Sequence, residues 1–297
     1  MRLYKTTLTP LSNFATTLRG DTLFGQLCWA IRYSFGEDRL IELLSSYKDK
    51  PFLIVSDGFA SGYLPKPTAP MEFLREDITK KKENRKQKWL TLKELQNADF
   101  SQAKTDEEVK SHSVGSVTIK NSLNYKTFHT DDSGIFSPYG IYEFPLNTQD
   151  LYFLIDESKY KLIELHKALE MVASMNYGKK ASIGKGSFLF GDFESVELGR
   201  GSDTFMALSP FVLEGDKSIK ECYYEPFTRF GKHGAGLANK NPFKSPLLLA
   251  DSKAVIVCQE RQNDLQYIGK AIKGHSSNPH TVHQGYSIVI PIQGAKS

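Results

Sequence analysis

The chain has 297 residues, enough for one large domain or two of ordinary size. Hydrophobic residues make up 40% and aromatics 12%, the proportions of a chain with a real core. The formal net charge is +4, which excludes a histone-like polycation, so any basic surface must come from local clustering.

Residues 2–9, RLYKTTLT, alternate and are β-prone, which predicts a strand. Asp21 then precedes TLFGQLCWAIRYSF, where Leu23, Phe24, Leu27, Cys28, Ile31 and Phe35 recur at helical spacing and Gly36 ends the run. A second helical piece carries Leu40, Ile41, Leu43 and Leu44. Phe52 to Val55 reads as a short strand that Phe59 to Leu64 can pair with, before LPKPTAP breaks regularity. Residues 75–94, with eight basic and four acidic side chains, read as a solvated helix or arm, and 95–113 as polar loop.

Residues 114–145 show β-branched and aromatic alternation around a Thr-Asp-Asp-Ser-Gly turn, which predicts a long hairpin. Asp150 to Ile155 is a further strand. Lys159 to Ala173 is an amphipathic helix with Leu162, Leu165, Leu169 and Val172 on one stripe, ending near Asn176 and Gly178. A glycine-rich loop follows, then a strand from Phe188 to Val196. That order suits a ferredoxin-like split βαβ unit. Beyond Gly199-Arg200-Gly201 the strands restart at Phe205–Leu213, Cys222–Thr228, Ala254–Cys258 and Tyr286–Ile292, with no long amphipathic helix between them. The expected architecture is therefore α+β, a first lobe over 1–199 and a degenerate, β-rich second lobe over 200–297.

Cys28, Cys222 and Cys258 are widely spaced with no CxxC, which supports neither a disulfide scaffold nor a zinc ribbon and suggests reduced, cytoplasmic thiols. MRLYKTTLTPLSNF lacks the apolar run of a signal peptide, and no stretch of about 18 apolar residues is present, so no membrane partner is expected.

The loop YGKKASIGKGSFLFG, residues 177–191, holds glycines and lysines without an acid. A mononucleotide P-loop needs GxxxxGK[ST] between a strand and a helix. Here Gly178 and Gly184 are one residue too far apart, Gly186 stands where the magnesium-holding hydroxyl belongs, and the loop leads from helix to strand. The Rossmann fingerprint fails on the same topology. No nucleotide cofactor is expected at this loop. What remains is a glycine turn whose exposed N–H groups, with Lys179, Lys180, Lys185, Ser182 and Ser187, suit a polymer's phosphates; the alternative is a plain turn.

Residues 18–44, LRGDTLFGQLCWAIRYSFGEDRLIELL, are similar to the first-helix segment of the RAMP proteins of CRISPR systems. They most resemble the SDTLFGAL form of the fourth subunit of the type III-A Csm complex, with Gly20 for the serine and Gln26 for the alanine. The glycine loop resembles the RAMP glycine-rich loop. IKNSLNYKTFHTDDSGIFSPYGIYEF resembles the family's hairpin, with Asn124, Tyr125 and Lys126 departing from the commoner IDR. GHSSNPHTVHQGYSIVIPI resembles the Csm-type ending, with Pro279 and His280 in swapped order.

The resemblance implies two ferredoxin-like (RRM-like) RAMP lobes with a β-hairpin thumb at about 114–145. It implies a non-catalytic, Cas-five-like subunit that holds the repeat-derived 5′ tag of CRISPR RNA. The same resemblance implies contacts with the large Cas-ten-type subunit and the backbone RAMP subunit. Type III-B origin stays open beside III-A.

Candidate RNA contacts are Lys179, Lys180, Ser182, Gly184, Lys185, Gly186 and Ser187 of the loop. Arg19 at the first helix start is another, whereas Asp21 and Thr22 read as N-caps worth about 1 kcal/mol. Asn121, Asn124, Lys126 and His129 decorate the hairpin, where amides and rings can meet splayed bases. Arg229, His233, Lys240, Asn241 and Lys244 lie in an acid-free stretch, 226–247. His275, His280 and His283 fit no standard zinc spacing. The rival readings are a Cas-six-type repeat-processing endoribonuclease and a purely structural subunit. The former needs a general base, for which His129 with Tyr125 and Lys126 is the compact candidate.

Overall fold

The computed structural model describes residues 1–111, 113–121, 123–124, 126–129, 138–199, 201–213, 218–234, 242–276 and 278–294. Strand β1 (Arg2–Pro10) buries Leu3, Tyr4, Thr6 and Leu8. Helix α1 (Gly20–Phe35) follows and buries Leu23, Phe24, Leu27, Ala30 and Ile31, the stripe its spacing predicts. Its first residue has to be glycine: a Cβ on Gly20 would lie 2.2 Å from the Val55 carbonyl oxygen. Gly36, at φ 92°, ends α1 and leads into α2 (Glu37–Ser45).

The two short strands β2 (Leu53–Val55) and β3 (Phe59–Ala60) do not pair with each other, contrary to expectation. Both run along the same later strand, because the chain between them kinks without reversing: the Ser56 N–H still donates to the Tyr152 carbonyl. The reversal comes later, at Gly62 (φ 82°).

The charged stretch and the segment after it fold into a small structure of their own. Strands β4 (Leu64–Pro65), β5 (Gln87–Leu90) and β6 (Lys104–Thr105) form a three-stranded sheet, with helices α3 (Lys81–Asn84) and α4 (Leu92–Gln96) between them. The expected arm and polar loop are thus corrected. Phe73, Leu74, Leu90, Leu95 and Phe100 are buried, and Thr91 with Glu94 makes a reciprocal capping box. Singly spaced apolar residues among charges hide this fold from a periodicity reading.

The hairpin is present: β7 (Ser116–Asn121) pairs antiparallel with β8 (Pro138–Glu143), Ser116 opposite Glu143 and Asn121 opposite Pro138. Its expected turn at 130–134 lies outside the described residues. Strand β9 (Gln149–Ile155) is wholly buried. Helix α5 (Leu162–Met175) buries Leu165, Ala168, Leu169 and Val172 and packs beside α1. The predicted strand 188–196 is two strands, β10 (Phe188–Phe190) and β11 (Glu194–Ser195), both antiparallel to β1. The main path of this first sheet is β10–β1–β9–β2. In chain order of these four strands it reads fourth, first, third, second.

The remainder is strands: β12 (Ser202–Ala207), β13 (Ile219–Tyr223), β14 (Pro226–Arg229), β15 (Leu247–Ala250), β16 (Val255–Gln262), β17 (Tyr267–Gly269) and β18 (Tyr286–Ile292). Five of them form an antiparallel sheet, β13–β16–β12–β18–β17, and β14 pairs with β15. The expected strand Cys222–Thr228 is broken at Tyr224–Glu225, which lets β14 leave the sheet. One buried cluster extends from Leu3 to Ile292 and takes Met206, Val255 and Ile288 from the second sheet. The buried Gln284 side chain seals the joint, accepting from the Val55 N–H (2.9 Å) and donating to the Val55 carbonyl (2.8 Å). Such pairing satisfies edge-strand groups that burial would otherwise leave unmet.

Candidate RNA interface

The glycine-rich loop turns through five left-handed residues, Asn176, Gly178, Lys180, Gly184 and Gly186. Its two ends meet, with the Tyr177 N–H donating to the Gly186 carbonyl (2.8 Å). It is anchored on the segment entering α1. The Gly186 N–H donates to the Asn13 carbonyl (2.9 Å), and the Lys179 N–H to the Thr16 hydroxyl (2.9 Å). The buried Tyr177 hydroxyl donates to the Thr17 carbonyl and accepts from the Arg19 N–H. The tip, Ser182-Ile183-Gly184, is exposed.

The three loop lysines have different fates. Lys179 is exposed and has no charged partner among the described residues. Lys180 places its ammonium 4.8 Å from the ring centre of Tyr139 on β8, a cation–π contact. Lys185 forms an ion pair with the buried Glu143 at the foot of the hairpin, which also accepts from the Thr118 hydroxyl. These two hydrogen bonds, Lys185 first, hold the Glu143 carboxyl down at about 2. Lys185 therefore ties loop to hairpin with its charge already balanced. Ser187 is also structural in position: its N–H donates to the Ser12 hydroxyl and its carbonyl accepts from Leu11.

Arg19 faces inward. Its Nη1 lies 2.9 Å from Asp57 and 2.6 Å from Asp251, and its guanidinium covers the Phe227 ring at 4.8 Å. Asp57 also accepts the Gly20 N–H (2.8 Å), so it performs for α1 the service expected of Asp21. That expectation is corrected: the N-cap is Arg19, without a side-chain cap. Asp21 is instead buried against the Arg229 fork, with Nε to Oδ2 at 2.6 Å and Nη2 to Oδ1 as the second contact. Asp57 escaped the sequence reading because nothing local links it to a helix that begins 37 positions earlier.

The acid-free stretch is correspondingly less open than expected. Arg229 is occupied by Asp21, His233 meets the Ser276 hydroxyl at 2.5 Å, and Lys244 is half-buried, which lowers its pKa. Lys240 and Asn241 lie outside the described residues. The hairpin, in contrast, faces solvent. Asn121, Lys126 and His129 are exposed, and so are Val117, Ile119, Phe128 and Tyr142. Asn124 holds the far end, donating its N–H to the His129 carbonyl and accepting the Lys126 N–H on Oδ1. Tyr125 lies outside the described residues.

His275 and His283 are buried edge to face, 5.7 Å apart, and burial lowers each pKa to about 4. The folded state keeps both neutral, whereas an unfolded histidine takes up a proton near 6.5. Their contribution is thus complete above about pH 6.5 and is lost as the pH falls through about 4. Thermal melts should show stability falling on acidification across that window. A His275→Gln/His283→Gln variant should show a flatter profile there; an unchanged slope would contradict the assignment. The described residues contain no group of three histidine, cysteine, aspartate or glutamate side chains able to hold a metal, and no helix long and apolar enough to cross a membrane.

No family model matches the sequence, and no curated protein matches it. Solved structures do match along the whole chain. A chain of the Csm1–Csm4 cassette in complex with pppApA superposes with a TM-score of 0.62 at 16% identity, covering 99% of this chain and 98% of that one. A chain of the Csm3–Csm4 subcomplex of the type III-A CRISPR-Cas interference complex gives 0.59 at 15% identity, covering 98% and 99%. At 15–16% identity the likeness is one of fold, shared with a component of these type III-A CRISPR assemblies. Csm4 is the component these two assemblies share, and the fold is the Csm4 fold.

Proposed function

We propose that the chain is a non-catalytic CRISPR-RNA-binding subunit of a type III-A Csm complex, acting in the cytoplasm in antiviral defence. It holds the repeat-derived 5′ tag and links the RNA-bound backbone RAMP subunit to the large Cas-ten-type subunit. In this reading residues 1–199 are a ferredoxin-like RAMP lobe, whose strand order fits that topology. Residues 200–297 are its degenerate partner, and the hairpin is the thumb. The observation that carries the reading is the meeting of glycine loop and hairpin foot. Lys185 and Glu143 neutralise each other at the joint, which leaves Lys179, Lys180 and the exposed tip to meet phosphates. The solvent-facing aromatic and amide groups of the hairpin suit unstacked bases.

The test is binding of a short RNA carrying the cognate tag over a salt series. Lys179→Ala/Lys180→Ala should weaken binding and flatten the log–log salt slope by about 1.4, at about 0.7 per lysine. Lys185→Ala should leave the slope unchanged while loosening the hairpin. An unaltered slope in the double variant would remove the loop from the RNA path. Repeat cleavage abolished by His129→Ala would turn the assignment into an endoribonuclease.

A further inference from the structure

The folded insertion closes a cleft that the RNA reading does not use. Its volume is about 890 Å³, within the range of about 300–1,000 Å³ typical of small-ligand pockets. One wall comes from 65–89, the other from the start of α1, the β2–β3 kink and the turn before β16.

Charge in this cleft sorts into two groups. Arg19 with Asp57, Lys66 with Glu76, and Lys88 with Asp106 are paired. Lys81, Arg85 and Lys253 also line the cleft and have no side-chain partner among the described residues. Lys81 and Arg85 stand one helical turn apart, so they share a face. Lys253 comes from the opposite wall. Its left-handed backbone (φ 73°) is held on both sides, the N–H donating to Ala207 and the carbonyl accepting from Thr68. Against these three cations the cleft sets one uncommitted acid, Glu225.

Between the cations the lining is apolar and aromatic: Phe59, Met71, Trp89 and Leu146. Gln87 and Glu225 lack side-chain partners among the described residues and can meet the edge of a base. Three cations lining one cleft with an apolar, aromatic wall fit a nucleobase joined to phosphate better than they fit an acidic peptide, whose charges are spread along an extended chain.

We infer that this cleft binds a nucleoside phosphate, with phosphate on Lys81, Arg85 and Lys253 and the base against the Trp89 wall. The ligand has two sources, a free nucleotide or the terminal nucleotide of an RNA strand. The second is sterically close at hand, because Thr16 anchors the glycine loop while Thr17 to Arg19 line the cleft. That branch rests on the proposed RNA-binding role; the free-nucleotide branch does not.

The test uses the full chain and titrates AMP, ATP, adenosine and inorganic phosphate, read by calorimetry and by tryptophan fluorescence. AMP or ATP should bind more tightly than adenosine or phosphate alone. Lys81→Ala/Arg85→Ala/Lys253→Ala should weaken binding at least about tenfold, and its melting temperature should stay unchanged because all three changes keep buried groups paired. Trp89→Phe should remove the fluorescence response and leave the calorimetric one. Displacement of AMP by a short 5′-phosphorylated RNA, and not by its 5′-hydroxyl form, assigns the strand end. AMP binding that RNA leaves undisturbed assigns a free nucleotide. No heat from any nucleoside phosphate at millimolar concentration, or undiminished binding in the triple variant, overturns the inference. Either of those negatives leaves the salt-slope test of Lys179 and Lys180 independent.

Discussion

Replacing Asp21 by alanine should lower the stability of the chain by about 3–5 kcal/mol, the cost of removing one partner from a buried ion pair. The Asp21 side chain is 1% exposed and holds both forks of Arg229. Without it the guanidinium keeps, among the described residues, the Phe227 ring alone, 5.0 Å away. The size of the loss is diagnostic. A helix N-cap is worth about 1 kcal/mol, so a small drop would return Asp21 to that role. Asp21→Leu/Arg229→Met, which removes both charges together, should recover most of the loss, since buried pairs often exchange for apolar ones at little cost. Urea denaturation of the native chain and the two variants measures this. The pair joins α1 to β14, so its loss should also loosen the contact between the first sheet and the strands after 201.

Gly186→Ala should damage the glycine loop far more than Gly184→Ala, although both glycines have left-handed backbones, at φ 73° and 83°. A Cβ on Gly186 would lie 2.1 Å from the Tyr177 carbonyl oxygen; a Cβ on Gly184 meets nothing within 4 Å. The second change thus adds only conformational strain, on the order of 1 kcal/mol. The first adds a backbone collision at the point where the loop closes. Because Tyr177 also bridges Thr17 and Arg19, the displacement should reach the entry to α1. Melting temperature and RNA affinity should both fall in Gly186→Ala, and melting temperature should fall far less in Gly184→Ala. Equal losses of melting temperature would show that the loop does not depend on a fixed turn.

Patterns of short range were legible in the sequence. The stripe of α1, the alternation of β1, the Asn176 and Gly178 stop of α5 and the pairing of the hairpin all follow from periods and turn residues a few positions apart. So did the resemblance that led to the Csm4 fold, since it rests on contiguous motifs. The insertion was misread because Leu74, Leu90, Leu95 and Phe100 are buried one at a time, with no stripe to reveal them.

The partnerships of charged groups were decided by tertiary structure alone. Arg19, Lys185 and Arg229 look equally free in the sequence, yet their acids, Asp57, Asp251, Glu143 and Asp21, lie between 38 and 232 positions away. A net charge counts cations but cannot pair them. Outside the insertion, the sequence determined which segments fold and that cations would gather near a glycine turn. Only the packing of β2, β8 and α1 against those segments determined that Lys179 and Lys180 stay available while their neighbours are spent in the core, because burial forces a charge to find its counter-charge wherever the chain has placed it.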